Sequence, residues 1–252
     1  MKIGILGLGL IGGSIFKKLQ EQGYNVVGVS ASQQGENITS DWSVLTTCNV
    51  VFVCTPMNKC LEALDKLDNI LFSNTIVSDV CSLKSFVCQK SRNFKFIPSH
   101  PMAGTEKSGF ENSFPELFNG AKWVLTPVFG NDGIDVLTEL IHKMGAETII
   151  TEPEKHDEAA ALISHMPMII SQALFMTAES DELALQMASS GFRDMTRLAL
   201  SNEEMANDMF TMNNKNIQTS ILKLYKSVGD LTRGDYPQLI KKIKEKRNNI
   251  KF

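Results

Sequence analysis

Two short polar stretches that follow apolar runs contain residue types able to move a proton. His100 lies in PSHPMAGTEKSG, among small and polar residues, and Pro101 restricts the backbone that follows it. An imidazole held in place there could accept the proton of an alcohol that is being oxidised. A hydrogen-bonded structural histidine is an equally good interpretation of this spacing. Ser82 and Lys84 follow an earlier apolar run, in DVCSLKS.

Further candidates lie in the C-terminal part of the chain. His165 stands in ALISHMPMIIS, and its apolar neighbours favour a core histidine on spacing alone. Arg193 and Arg197 are four residues apart, one helical turn, with Asp194 between them. Guanidinium groups bind carboxylates well, but ordinary surface ion pairs explain this spacing at least equally well.

A glycine-rich turn at the N-terminus predicts a dinucleotide site. Gly7, Gly9 and Gly12 fit G-x-G-x-x-G, in the order strand, turn, helix and strand that the motif requires. The first glycine permits the turn, the second lets a pyrophosphate approach the backbone, and the third allows close helix packing. The start of the helix offers free N–H groups to phosphates. A signal peptide is disfavoured, because the glycines interrupt the apolar run and no cleavage site is clear.

The end of the second predicted strand, GVSASQQG, bears on the choice of nucleotide. An acidic residue at this place normally holds the ribose hydroxyls of NAD, but no Asp or Glu precedes Glu36. Ser30 and Ser32 would admit a 2′-phosphate, so that NADP is favoured and NAD stays possible; alternatively, Ser30 merely ends a strand. The predicted cofactor contacts are Gly7, Gly9, Leu10, Ile11, Gly12, Ser30, Ser32 and Thr55.

The organisation of the chain indicates an α/β domain followed by helices. Up to about residue 150, β-rich runs alternate with helix-like stretches, which predicts a mostly parallel sheet covered by helices. After Pro153 the apolar residues recur at helical spacing. We therefore expect a Rossmann-type domain over residues 1–153 and an all-α domain, paired across a dimer, over residues 154–252. The predicted elements are strands over 3–6, 25–30, 49–56, 74–82, 94–104, 121–127 and 146–151 and helices over 14–22 and 135–145.

Composition excludes several classes of function. The chain has 252 residues and a net charge of −3, which gives no electrostatic reason to expect nucleic acid. No apolar run approaches the roughly 18 residues of a membrane span. The five cysteines form no C-x-x-C pair, and without an export signal they indicate reduced thiols in a cytoplasmic protein. We expect no metal site.

Six motifs together resemble the prephenate and arogenate dehydrogenase family of tyrosine biosynthesis. GLGLIGGS, DVCSLK, SHPMAGTEKSGFE, WVLTP, ISHMP and SSGFRDMTR occur in the family's order, from residue 1 to about 210. GVS and ISHMPMIIS look most like the cyanobacterial-type arogenate enzymes, which use NADP. The resemblance implies a Rossmann domain, an interlocked helical dimerisation domain that makes a homodimer, and a cleft between the two. Because the chain ends soon after the predicted helices, we expect no added regulatory or mutase domain.

The resemblance also implies roles for individual residues. His100 would accept the hydrogen bond of the substrate ring hydroxyl, and Ser82 would bond the same hydroxyl and help to orient His100. Arg197 would bind a substrate carboxylate, with Asp194 as its polar partner. The remaining pocket residues implied by the family are Thr105, Glu106, which could gate the pocket, and His165.

One departure from the family pattern concerns substrate preference. Several prephenate-using members have a second histidine three residues after the first, where this chain has Met168. A thioether contributes neither charge nor a strong hydrogen bond, which favours arogenate over prephenate. The alternatives are a β-hydroxyacid dehydrogenase or imine reductase, which would act on a small hydroxy acid or an imine, and a redox sensor that binds NADP(H) without turnover.

Overall fold

In the computed structural model, which describes residues 1–105 and 107–250, the N-terminal half is built on a six-stranded parallel sheet. Its order is β3-β2-β1-β4-β5-β6, so that β1 lies between β2 and β4 and the direction of winding reverses there. Ligands of such sheets bind outside the carboxyl ends of the strands at this switch point. The strands are β1 (Lys2–Leu6), β2 (Asn25–Val29), β3 (Ile38–Thr39), β4 (Val50–Val53), β5 (Ile76–Asp79) and β6 (Lys95–Phe96).

A second, three-stranded sheet carries the candidate base. It has the order β7-β8-β9, with β7 (Ser99–Pro101) antiparallel to β8 (Lys122–Leu125) and β8 parallel to β9 (Glu147–Ile150). The single strand predicted over 94–104 is therefore wrong. The Ile97 N–H still bonds to Val77, but Pro98 has no N–H to continue that ladder, and the chain passes to the second sheet.

Helices cover both faces of the large sheet. Alternate residues of β1 point to opposite faces, which places Ile3 and Ile5 in one buried cluster and Leu6 in the other. The N-terminal helices are α1 (Leu10–Glu21), α2 (Met57–Asp68) and α3 (Ile134–Lys143), and short 3₁₀ turns lie at Trp42–Thr47, Val87–Gln89, Phe110–Asn112 and Pro115–Phe118. Helix α1 begins four residues before the predicted start. The expected fold class, a Rossmann-type domain followed by an all-α domain, is confirmed.

The rest of the described chain is helical, and we call residues 153–250 the helical half. Its elements are α4 (Pro153–Ala160), a π-helical turn (Ala161–His165), α5 (Met166–Ala178), α6 (Glu182–Met187), α7 (Ser190–Thr196), a 3₁₀ turn (Arg197–Leu200), α8 (Glu203–Met212), α9 (Asn214–Arg233) and α10 (Tyr236–Asn248). Much of its apolar surface is exposed, including Met187 at 74% and Leu200 at 75%.

The first helices of this half join into one long apolar helix. Pro153–Ala178 is a continuous helix of 26 residues, long and apolar enough to cross a membrane by length and composition. The expectation that no segment reaches this length was wrong, because the scattered polar residues do not lower its mean hydropathy enough. Only 28% of its most apolar window is buried against the rest of the chain. Helices that pack against another protein surface meet the same criterion, so that the finding does not assign the helix to a membrane.

Candidate functional site

The glycine turn between β1 and α1 has the shape that a dinucleotide phosphate requires. Gly7 adopts a positive φ of 95° and donates its N–H to the Val29 carbonyl at 2.8 Å. A Cβ on Gly12 would lie 1.9 Å from the Gly7 oxygen, so that only glycine allows helix and turn to approach. A Cβ on Gly9 would meet nothing within 4 Å, and α1 begins without a side-chain cap. The N–H groups at this helix start are therefore accessible to an anion.

The neighbouring hydroxyl residues differ in what they offer a cofactor. Thr55 follows β4, and its Oγ1 is buried without a hydrogen-bond partner among the described residues. Ser30 is buried at the end of β2, and its Oγ accepts the N–H groups of Ser32 at 3.3 Å and Gln33 at 3.1 Å. Ser30 thus holds the turn and keeps only its hydroxyl proton for a ligand. Ser32 is exposed beside it.

His100 lies on β7 and is the first member of a chain of three hydrogen-bonded side chains. Its Nδ1 is 2.9 Å from Nε2 of His156, and Nδ1 of His156 is 2.8 Å from Oδ1 of Asp157. All three residues are buried. His156 and Asp157 were missed by the sequence analysis. The only signal was an adjacent histidine and aspartate at the start of the helical half, and nothing local relates them to a residue 56 positions earlier.

The backbone of the N-terminal half holds Asp157, the last member of this hydrogen-bonded series. Asp157 accepts the N–H of Lys84 on Oδ1 at 2.8 Å and the N–H of Ser85 on Oδ2 at 2.9 Å. Burial alone would raise the pKa of Asp157, but the hydrogen bonds from His156, Ser85 and Lys84 outweigh it and lower the pKa. Asp157 is therefore a carboxylate at neutral pH.

A buried ion pair joins the segments that carry His100 and Ser82. Asp79 and Lys84 are both fully buried, and Lys84 Nζ donates to Oδ2 of Asp79 and to the Ser99 carbonyl. Asp79 also accepts the N–H of Cys81 at 2.9 Å and that of Ser99 at 3.2 Å. Ser82, half-buried, lies in the turn between these contacts. The pair thus connects the turn that carries Ser82 to the strand that carries His100.

His165 contributes a second buried imidazole near His100. Nδ2 of Asn213 donates to the Asp157 carbonyl at 2.9 Å, which fixes the amide, and lies 3.1 Å from Nδ1 of His165. Because Nδ2 is a donor, Nδ1 of His165 accepts and its Nε2 carries the proton. That Nε2 is buried and has no partner among the described residues. Asn213 was also missed by the sequence analysis.

Burial keeps both imidazoles neutral. It lowers the pKa of His165 to about 4, and it lowers the pKa of His100 well below its usual value. The Lys84 ammonium and the two imidazoles that can become cations, His156 and His165, lower the pKa of His100 further. The depressed pKa keeps the His100 imidazole neutral at ordinary pH, so that one ring nitrogen has a lone pair with which to accept a hydrogen bond or a proton.

The other predicted substrate residues are not brought into this buried group by the described contacts. Thr105 is exposed, with its hydroxyl 3.2 Å from the Lys107 N–H, and Glu106 lies outside the described residues. Asp194 and Arg197 lie on the exposed surface of the helical half. Asp194 pairs with Arg193 at 3.4 Å, whereas the expected partner was Arg197. Helix α7 ends at Thr196, so that Arg197 lies outside it, at the start of the following 3₁₀ turn.

One group of metal-ligand types occurs close to the ion pair. The ligand atoms of Cys60, Asp79 and Cys81 lie within 4.8 Å of one another and are buried. The Lys84 ammonium already occupies the Asp79 carboxylate. A cation at this place would face that positive charge, so that the residues do not fit a metal.

Comparison with known proteins gives the family. Residues 19–150 match the nucleotide-binding domain of prephenate dehydrogenase, and residues 152–245 match its dimerization domain. The chain belongs to the prephenate dehydrogenase family. The expected family resemblance is thereby confirmed, and with it the class of oxidoreductases to which the prephenate dehydrogenase family belongs.

Relatives within the prephenate dehydrogenase family differ in the activities for which they are named. The chain is 29% identical to a Bacillus subtilis prephenate dehydrogenase over 238 residues, which cover 84% of this chain and 64% of the relative. Synechocystis arogenate dehydrogenase is 30% identical, with a TM-score of 0.83 over 99% of this chain and 98% of that one. An A. aeolicus prephenate dehydrogenase, solved with hydroxyphenyl propionate and NAD⁺, is 26% identical, with a TM-score of 0.86 over 100% and 98%.

Proposed function

We propose that this chain is an NAD(P)-dependent dehydrogenase that oxidatively decarboxylates a cyclohexadienol, either arogenate to tyrosine or prephenate to 4-hydroxyphenylpyruvate. The observation that carries the proposal is the buried, neutral His100, whose Nδ1 is taken by His156 and whose Nε2 is left for a substrate. Family membership supports the reaction class.

The chain's own residues supply orientation and a base. His100 Nε2 accepts the proton of the substrate 4-hydroxyl, and Ser82 bonds the same hydroxyl. Arg197, with Asp194 nearby, would bind a substrate carboxylate, and we assign roles in substrate binding to Thr105, His165 and Glu106, the last of which lies outside the described residues. As the hydroxyl proton leaves, the ring carboxylate is lost as CO₂ and the ring becomes aromatic. When bound, NAD(P)⁺ supplies the acceptor for the hydride of ring C4.

The glycine turn fits a dinucleotide and would hold it. Gly7, Gly9 and Gly12, with the first residues Leu10 and Ile11 of α1, would bind the pyrophosphate through backbone N–H groups. The unpartnered Thr55 hydroxyl would bond the cofactor farther along the crevice. Ser30 and Ser32 would lie at the adenosine ribose.

We favour arogenate as substrate and NADP as cofactor. The absence of an acidic side chain after β2 supports NADP, although Ser30 already accepts two backbone N–H groups. Met168 is buried where prephenate-using relatives carry a histidine, which supports arogenate, and the Synechocystis relative is named an arogenate dehydrogenase.

We further propose that two copies of this chain pair through the helical half, in the cytoplasm. The match of residues 152–245 to a dimerization domain supports this pairing. The exposed apolar side chains of these helices, such as Met187 and Leu200, would be covered in such a dimer.

A comparison of four substrate and cofactor pairs tests the proposal. We expect kcat/KM to be highest for arogenate with NADP and to fall at least ~100-fold in His100→Ala, the scale of general-base catalysis. Preference for prephenate or NAD would overturn the interpretation of Met168 or Ser30 and leave the reaction class intact. Nucleotide binding without turnover of either substrate would refute the enzyme and favour the redox sensor, whereas turnover of a small hydroxy acid or an imine would favour the other dehydrogenase classes.

A further inference from the structure

We infer that His156 and Asp157 are positioning residues that keep the proton of His100 on Nδ1 and its lone pair on Nε2. The inference rests on the proposed role of His100 as the base. Neither residue belongs to a motif that the sequence analysis selected, and both come from the helical half of the chain.

The argument begins at the carboxylate, whose contacts determine its role. Asp157 accepts two backbone N–H groups, from Lys84 at 2.8 Å and from Ser85 at 2.9 Å. These hydrogen bonds lower its pKa, so that it carries no proton and can only accept. Nδ1 of His156, at 2.8 Å from Oδ1, must therefore be the donor.

The tautomer of His156 then determines that of His100. A neutral imidazole has one N–H, and in His156 it is on Nδ1, so that Nε2 is an acceptor. Nδ1 of His100 lies 2.9 Å from this acceptor and must donate its proton to it. His100 Nε2 is left with the lone pair that a general base requires. The opposite tautomer would present an N–H to the substrate hydroxyl and could not accept its proton.

The contacts around the pair hold this arrangement in place. Asn213 donates to the Asp157 carbonyl at 2.9 Å and so ties α4 to the start of α9. Among the residues that the structure describes, the other charged or titratable groups that act on His100 are Lys84, which pairs with the buried Asp79, and His165, which is itself neutral.

Nitrogen NMR of the full-length protein reads the tautomer directly, without any substrate. With ¹⁵N-labelled histidine at pH 7.5, we expect His100 to be protonated on Nδ1 alone in the wild type, assigned by comparison with His100→Ala. In Asp157→Leu, no acceptor is left for the Nδ1 proton of His156, so that this proton is no longer held there and we expect His100 to show a proton on Nε2 as well. Protonation of wild-type His100 on Nε2, or on both nitrogens, would overturn the inference.

Activity of matched variants gives the second readout. His156→Phe keeps the ring volume and removes the acceptor, and we expect kcat to fall ~100-fold or more, the scale seen when a catalytic histidine loses its orienting group. His156→Gln can offer an amide oxygen to His100 Nδ1, and we expect it to recover at least ~10-fold of that loss. His142→Gln, at an exposed histidine, is the control and should match the wild type.

The outcomes separate this inference from the proposed function. Wild-type protein that turns over neither arogenate nor prephenate would refute the proposed function, whereas the NMR result would still decide the tautomer. Equal losses in His156→Phe and His156→Gln, in proteins with equal melting temperatures, would overturn the positioning role. Full activity in His156→Phe or Asp157→Leu would do the same.

Discussion

Replacing Lys84 with methionine tests the cost of leaving the buried carboxylate of Asp79 without its cation. Asp79 and Lys84 are fully buried and touch each other. In Lys84→Met the side chain keeps its approximate volume, but the Asp79 carboxylate is left buried with only the N–H groups of Cys81 and Ser99. An uncompensated buried charge costs about 3–5 kcal/mol. For a chain of this size we expect the melting temperature to fall by roughly 6–20 °C.

An exposed pair in the same protein provides the matched control. Lys122 pairs with Glu147, with side chains 47% and 70% exposed. Exposed pairs contribute about 0–1 kcal/mol, so that Lys122→Met should lower the melting temperature by no more than roughly 4 °C. Thermal unfolding followed by circular dichroism, at one protein concentration, measures both variants.

A double variant separates the charge from the loss of packing. Adding Asp79→Asn to Lys84→Met removes the unpaired charge, and we expect it to recover part of the lost stability. It cannot recover all of it, because one oxygen that accepts a backbone N–H becomes an amide nitrogen. A fall in Lys84→Met no larger than that in Lys122→Met would refute the reasoning, as would a double variant less stable than Lys84→Met alone.

Two further predictions concern the nucleotide turn and the buried imidazoles. Gly12→Ala should lower the melting temperature, because its Cβ would meet the Gly7 oxygen at 1.9 Å. Gly9→Ala should melt as the wild type does, because its Cβ meets nothing within 4 Å, but should bind NADP at least ~10-fold more weakly in calorimetry. Equal melting temperatures for the two variants would contradict this. Because burial lowers the pKa of His165 from 6.5 to about 4, its contribution to stability is full above pH 6.5 and is lost as the pH falls towards 4, by up to about 3 kcal/mol. Urea unfolding across this range should show a shallower loss in His165→Gln, and parallel curves for the two proteins would refute the assignment.

Features that depend on neighbouring residues could be read from the sequence. The roles of Gly7, Gly9 and Gly12 follow from their spacing between an apolar strand and a helix, and the structure has the turn where the spacing predicts it. The strand break at Pro98 was also readable, since proline cannot donate to a ladder, but the continuous β-rich character of 94–104 concealed it.

Features that depend on distant packing could not be read in this way. His156 meets His100 only after α4 has docked on the turn at Lys84 and Ser85, and no spacing encodes a contact across 56 residues. Asn213 meets His165 across 48 residues for the same reason. The π-helical turn at Ala161–His165 interrupts the α-helical hydrogen-bond pattern, but it contains no proline or glycine from which the sequence could predict it.

The hydrogen-bonded series from Asp157 to His100 crosses from one half of the chain to the other, and this limits how the protein can be recombined. A chimera that joined residues 1–151 to the helices of a distant relative would inherit the glycine turn intact and could still bind nucleotide. Its imidazole would work only if the foreign helix also presented a histidine and a carboxylate to the same two backbone amides. We therefore expect His100, His156, Asp157 and the backbone at Lys84 and Ser85 to change together in evolution, although they come from the two halves of the chain. Exchange of the nucleotide-binding part should therefore succeed here only when the point of joining lies beyond α4.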